Sequence, residues 1–317
     1  MQPLLLTPAL KDYLWGGNRL PQEYGYPTDL DRVAEAWVLS CHPQGESLAV
    51  NQPYAGQPLS QILAAWGPKA LGARCDGFDR FPMLIKFIDA RDRLSVQVHP
   101  DDDYALRVEN ELGKTEMWHV LDCEEGAQLL FGVNRSLAKE EFKQRIEDNT
   151  LDEVCRYVPV KKGDTFFITA GTLHAIGAGI LLAEVQQNSA TTYRVSDYGR
   201  RGPDGKLREL HIDKALDVTC LTPNKEADAA APALTDENGR VEPLASCPYF
   251  TAERWVLMGA RAVGREDTFV SLLCLEGNGE LAWNGQTLPF KKGDSLFIPA
   301  GIYATVSGSA ELLCSYI

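Results

Sequence analysis

The sequence predicts a mainly β protein: two small β-barrel modules, a few short helices and one linker within 317 residues. Three observations carry that reading. Short runs rich in Val, Ile, Phe, Leu and Trp, bounded by Gly, Pro, Asp and Asn, dominate the chain, as strands separated by tight turns do. The stretch Pro159–Gly171, PVKKGDTFFITAG, returns as Pro289–Gly301, PFKKGDSLFIPAG, at a constant offset of 130 residues. Duplication of a module explains such an echo better than two unrelated hairpins do. Finally, Asn284-Gly285 stands between two apolar runs, where a two-residue hairpin turn needs positive backbone φ.

Taken in order, AEAWVLSC, FPMLIKFID, LSVQVH, EMWHVLD and AQLLFGV read as strands. Between them, Ser60 is placed to cap a short helix through Ile62, Leu63 and Trp66 that Pro68 stops. After Pro100, three aspartates occupy a first helical turn, where the helix dipole favours them. Ser136 is the expected cap of a helix carrying Ala138, Phe142 and Ile146 on one face. A last helix is expected around residues 210–220. Thr222 to Arg240 is polar, aperiodic and rich in Ala and Pro, and reads as a linker. Strands then resume with YFTAERWVL, TFVSLLCLEG, GELAWNG, DSLFIPAG and ELLCSYI. This divides the chain into residues 1–228, the larger module with the helices, and 229–317, a smaller second module that N-terminal strands help to complete.

Composition narrows the class of function. The formal charge of −13 argues against general nucleic-acid binding and against anionic membrane surfaces. No apolar run is long enough to span a bilayer, and the N-terminus lacks the basic and small-residue features of a signal peptide. The eight cysteines form no CxxC pair and suit reduced thiols in a cytoplasm better than a disulfide framework.

The chemistry gathers around Gly163–His174, GDTFFITAGTLH. Its echo ends in Ala304, so one copy keeps an imidazole that the other lacks. Upstream, strand alternation puts Gln97 and His99 on one face, and Glu116 follows on the next strand. Two imidazoles and a carboxylate, with a carboxamide beside them, make an open divalent site of the catalytic kind. Zinc, iron, manganese and nickel all suit these donors. His42, His119 and His211 read as packed histidines, since His119 has the opposite strand parity from Glu116.

The glycine and histidine spacing of Gly163–His174 resembles the second cupin motif, with Thr169 where proline is usual and Pro299 in the echo. The expected architecture is therefore two cupin (jelly-roll) barrels. QVHPDD, GKTEMWHVLD and GTLHAIGAGILLAEVQQNSATTYRVSDYGR resemble, more specifically, type I mannose-6-phosphate isomerases of the short bacterial class. KDYLWGG, AEAWVLSCHP, FPMLIKFIDARDRLSVQVHP and CPYFTAERW extend the likeness over nearly the whole chain. The resemblance implies one zinc ion per chain on His99, Glu116 and His174, with Gln97 as a further ligand. It implies an active-site arginine at Arg194 and a lysine near the substrate at Lys114. The departures touch no ligand position.

An aldose–ketose isomerase interconverting mannose 6-phosphate and fructose 6-phosphate moves a proton between C1 and C2 through an enediol-type intermediate. Arg194 stays protonated and so serves charge stabilisation rather than base catalysis. Glu184, Lys114 and a metal-bound hydroxide are the candidate bases. For the phosphate of the small-molecule substrate, the basic run Arg194, Arg200, Arg201, Lys206 and Arg208 is interrupted only by Asp197 and Asp204. Arg200 and Arg201 are its expected ligands, and Lys206 and Arg208 read equally well as a solvated loop. Two other functions use the same features: a non-haem metal oxygenase, which shares the two-histidine, one-carboxylate set, and a non-catalytic sugar-binding cupin.

Overall fold

The computed structural model describes residues 1–202, 205–224 and 231–317. Pro203, Asp204 and residues 225–230 of the expected linker, with the expected boundary at 228/229, lie outside the described residues. The first module is built from two antiparallel sheets. A six-stranded sheet runs Thr165–Ile168, Glu116–Cys123, Ile180–Gln187, Met83–Ala90, Glu35–Leu39 and Ala9–Lys11. Opposite it, a five-stranded sheet runs Cys155–Pro159, Gln128–Val133, His174–Ile176, Val96–Val98 and Tyr193–Ser196.

The six-stranded sheet is covered on both faces. Ile88, Trp118 and Leu182 meet Leu129 and Ile176 of the opposite sheet in one apolar cluster. The alternate residues Phe87, Met117 and Ala183 pack with Phe250, Phe269 and Phe297 of the second module in another. This is why MLIKFIDA and ILLAEVQQ are buried at every position and show no polar alternation.

The second module is a ten-stranded antiparallel sheet that curls around its own apolar interior, which includes Trp283, Phe290 and Leu312. Leu4–Thr7 pairs with Ser295–Ile298, and Leu48–Ala49 pairs with Leu4–Thr7, so N-terminal residues do complete this sheet. The Asn284-Gly285 hairpin is present, with φ of 45° and 75°.

Five α-helices occur among the described residues. Asp101 caps Asp102–Glu109, its carboxylate accepting from the Tyr104 amide at 2.9 Å. Two expected caps are displaced. Leu59–Trp66 starts one residue before Ser60, because the wholly buried Leu59 anchors the turn and Pro58 takes the cap position. Lys139–Glu147 starts after Ala138 rather than Ser136, since the Leu137 amide is tied to the Leu221 carbonyl. Phe142 and Ile146 are buried as expected. The linker also ends earlier than expected: Leu234–Asp236 is a strand, turned back onto Gly239–Cys247 by the Asp236 carboxylate accepting from the Asn238 amide.

Candidate metal centre and its cleft

Register places two rows of side chains opposite each other in the first module. Across the six-stranded sheet the row is Trp37, Lys86, Glu184 and Trp118. Across the five-stranded sheet it is Phe131, His174, Gln97 and Arg194. Between them lies a cleft of about 240 Å³ whose walls include Lys86, Trp118, Glu184, Gln97, Lys114 and Arg194.

Beside it, against Gln97 and Lys114 of its wall, the donor atoms of His99, Glu116 and His174 all lie within 4.8 Å of one another, and all three residues are buried. Each imidazole is oriented from behind. His99 Nδ1 lies 2.9 Å from the Thr191 carbonyl, and His174 Nδ1 lies 2.8 Å from that of Thr172. Donation to those carbonyls leaves each Nε2 lone pair aimed at the centre. The turn that does this depends on Gly171, whose φ is 84° and whose amide donates to the His99 carbonyl at 2.8 Å. One glycine thus ties the two histidine segments together. Gln97 sits at the edge, its amide nitrogen 3.3 Å from His174 Nε2.

The electrostatics suit a cation. Burial, reinforced by Lys114 and His174, holds the His99 imidazole well below its ordinary range. Burial brings His174 down to about 3, so both rings are neutral at neutral pH, the form that ligates. Glu116 Oε1 is buried without a hydrogen-bond donor, while Oε2 is paired with Lys114 Nζ at 2.6 Å, and that ammonium also lies 3.1 Å from His99 Nε2. Burial pushes the Glu116 carboxyl up, against the pull of Lys114. Two imidazole lone pairs and a buried carboxylate with one oxygen left without a donor therefore converge, and these residues fit a divalent metal.

Sequence reasoning missed a second charged group in the same cleft. Lys86 Nζ lies 3.5 Å from Glu35 and 3.2 Å from Glu184, and all three are buried. Trp118 donates to Glu184 at 2.7 Å, and Trp37 to Glu35 at 2.6 Å. Burial alone would raise the Glu184 carboxyl, but Lys86 and Lys114 outweigh it and hold it below the usual range. The signal was present: Lys86 is the one cation in a strand whose only other charge is Asp89, and a buried ammonium requires carboxylates nearby.

The basic run divides. Arg194 lines the cleft, donating to the Glu209 carbonyl at 3.0 Å, with its Nε buried and without a hydrogen-bond partner. Arg200 and Arg201 do not line it: Asp197 and the Arg93 carbonyl hold Arg200, and the Gly205 carbonyl holds Arg201. Arg208, expected to be as much loop as site, does line it. His119 faces a separate cavity of about 530 Å³ between the modules, whose lining includes the Arg254–Glu311 ion pair and none of the ligand residues. Across the echo, Ala304 stands in the second module among Ile298, Val306 and Leu312, an apolar interior with no donor set.

A double cupin with a two-histidine, one-carboxylate donor set beside a cationic cleft defines a class of β-barrel proteins with a candidate metal site. Within that class, residues 4–117 match the phosphomannose isomerase type I catalytic domain and residues 242–317 the mannose-6-phosphate isomerase cupin domain. Mannose-6-phosphate isomerase ManA of Bacillus subtilis is 39% identical over 100% of this chain and 99% of its own length. Mannose-6-phosphate isomerase of Streptococcus mutans is 38% identical, covering 99% and 98%. A crystal structure of the mannose 6-phosphate isomerase from Bacillus subtilis superimposes with a TM-score of 0.93 at 34% identity, covering 100% of both chains. The chain belongs to the type I mannose-6-phosphate isomerase family.

Proposed function

We propose that the chain interconverts mannose 6-phosphate and fructose 6-phosphate, with one zinc ion held by His99, Glu116 and His174 and Gln97 beside them. The observation that carries this is the convergence of the three donors beside a cleft that holds Lys114, Glu184 and Arg194, in a chain as long as its isomerase relatives. The metal, when bound, supplies polarisation of the sugar's carbonyl and hydroxyl oxygens.

The protein's own residues then have distinct tasks. Glu184, kept ionised by Lys86 and held at 2.7 Å by Trp118, moves the proton between C1 and C2. Arg194 offers its unpartnered Nε toward the negative charge that develops on the enediol oxygens. Lys114 holds Glu116 and adds positive charge at the same oxygens. These steps belong to residues 1–228, and residues 229–317 act as a degenerate partner module. The eight free thiols support a cytoplasmic setting, and no helix among the described residues is long and apolar enough to cross a membrane.

A coupled assay on fructose 6-phosphate, with metal analysis of the same sample, tests the reading. His174→Ala is expected to lose both metal and activity, and Ala304→His to gain no second metal. Full metal occupancy in the His174 variant overturns the ligand assignment. Oxygen consumption without isomerisation, or bound zinc with no turnover, overturns the activity in favour of an oxygenase or a binding module.

A further inference from the structure

Asp197 is a buried carboxylate, 5% exposed, between two arginines. On one side it takes Arg200, whose Nε lies 3.2 Å from Oδ1. Arg200 also donates to the Arg93 carbonyl at 2.6 Å and lies 5.5 Å from the Tyr198 ring, which Arg93 covers at 3.4 Å. That guanidinium is consumed in pinning the turn to the loop that leads into Val96–Val98. On the other side Asp197 meets Arg208 Nη1, 3.4 Å from each oxygen. Among the described residues, Nη1 is the only Arg208 nitrogen in contact with a carboxylate, and Arg208 is part of the cleft wall, so the rest of its five-donor fork is left for a ligand.

The charges in the cleft leave Arg208 unbalanced. Glu35 and Glu184 answer Lys86, and Glu116 answers Lys114. Arg194 and Arg208 remain, and Asp197 is shared between Arg208 and Arg200. The two guanidiniums are close enough that Arg208, after burial, is the next cause lowering the Arg194 pKa. Such an arrangement is unfavourable until an anion joins it. Arg194 neighbours Gln97 in register and lines the cleft together with Gln97 and Arg208. A cleft that joins a carboxamide beside the metal donors to two guanidiniums matches a sugar phosphate, whose reacting carbons and phosphate lie at opposite ends of one chain.

We propose that Arg208 binds the phosphate of the substrate and that Asp197 is its positioning residue, an assignment resting on the hexose 6-phosphate reading above. Arginine's planar fork meets phosphate oxygens with paired charge-assisted hydrogen bonds. Because the phosphate is remote from C1 and C2, it contributes binding that is equal in ground and transition states.

Steady-state kinetics on fructose 6-phosphate, with inorganic phosphate as competitive inhibitor, supply the test. Arg208→Ala is expected to raise KM and the phosphate inhibition constant together, by roughly 10- to 100-fold, with kcat changed less than about threefold. Arg208→Lys keeps the charge without the fork and should fall between. Asp197→Asn should raise KM in the same direction with kcat held, a split that a merely structural role would not produce. Unchanged KM and inhibition constant in Arg208→Ala overturn the proposal. If the wild-type protein turns over no hexose phosphate, the function itself fails, and calorimetric titration with inorganic phosphate judges Arg208 separately. Binding lost in Arg208→Ala sustains the site; equal binding by both proteins, or none by either, overturns it.

Discussion

Replacing Lys86 by Met isolates the charge at the floor of the cleft, because methionine fills a similar volume without the ammonium. In the wild-type protein Nζ stands 3.5 Å from Glu35 and 3.2 Å from Glu184. Lys86 is 7% exposed, Glu35 8% and Glu184 2%, so little water can take its place. Removing one partner of such a buried group costs about 3–5 kcal/mol, or roughly two to four orders of magnitude in the unfolding constant. The pH dependence follows from the carboxylates. With Lys86 present, the Glu184 carboxyl lies below its unfolded value, and that stability is present at neutral pH and lost as pH falls through the carboxylate range. Without Lys86, burial acts with less opposition, the folded carboxyl rises, and acidification relieves the variant. The deficit should therefore be largest near neutral pH and shrink on acidification. Urea unfolding followed by tryptophan fluorescence, at about pH 7 and about pH 4.5, measures it. Adding Glu35→Gln and Glu184→Gln to the variant should recover most of the loss. A deficit under about 1 kcal/mol, or one that does not change with pH, would refute Lys86 as the neutralising charge.

Two further outcomes follow from the same geometry. Burial, with Arg254 adding to it, brings His119 down to about 4. The unfolded chain therefore binds a proton that the folded chain refuses between about pH 6.5 and pH 4, and stability falls as pH falls through that window. His119→Asn should remove about 3 kcal/mol of this dependence, read by denaturant titrations across the window; an unaltered slope counts against the assignment. Gly171→Ala would force a side chain onto φ of 84° with its Cβ 2.9 Å from the Val218 carbonyl, whereas at Gly163, with φ of 89°, no atom lies within 4 Å. Gly171→Ala should cost about 2 kcal/mol or more and weaken metal retention through the Thr172 carbonyl behind His174, while Gly163→Ala costs about 1 kcal/mol. Thermal unfolding with metal analysis separates them, and equal effects would contradict the role given to Gly171.

How much was legible depended on the reach of each signal. His99, Glu116 and His174 could be picked out because strand alternation and the echo with Ala304 are local regularities, and the structure brings their donors together. Arg194, which the family resemblance pointed to rather than any local period, does line the cleft. Arg208 lines the cleft while Arg200 and Arg201 do not, and nothing in a run of basic residues says which of them will pair with a buried Asp197 and which will reach a cleft. The displaced helix caps have the same origin: the buried Leu59 and the bond from Leu137 to Leu221 are tertiary facts that override a good capping residue.

By itself the sequence determined the β class, the duplicated turn, the absence of a histidine from one copy and the choice of three candidate metal donors. Each of these is written in residue type and short-range period, which the backbone reads directly. Tertiary structure alone decided that Trp37, Lys86, Glu184 and Trp118 form one row facing Gln97, His174 and Arg194. It also decided that Leu4–Thr7 completes the distant sheet. Strand register between segments far apart in the chain is set by the packing of two sheets over a shared core, and no local pattern encodes which residues that packing will bring face to face.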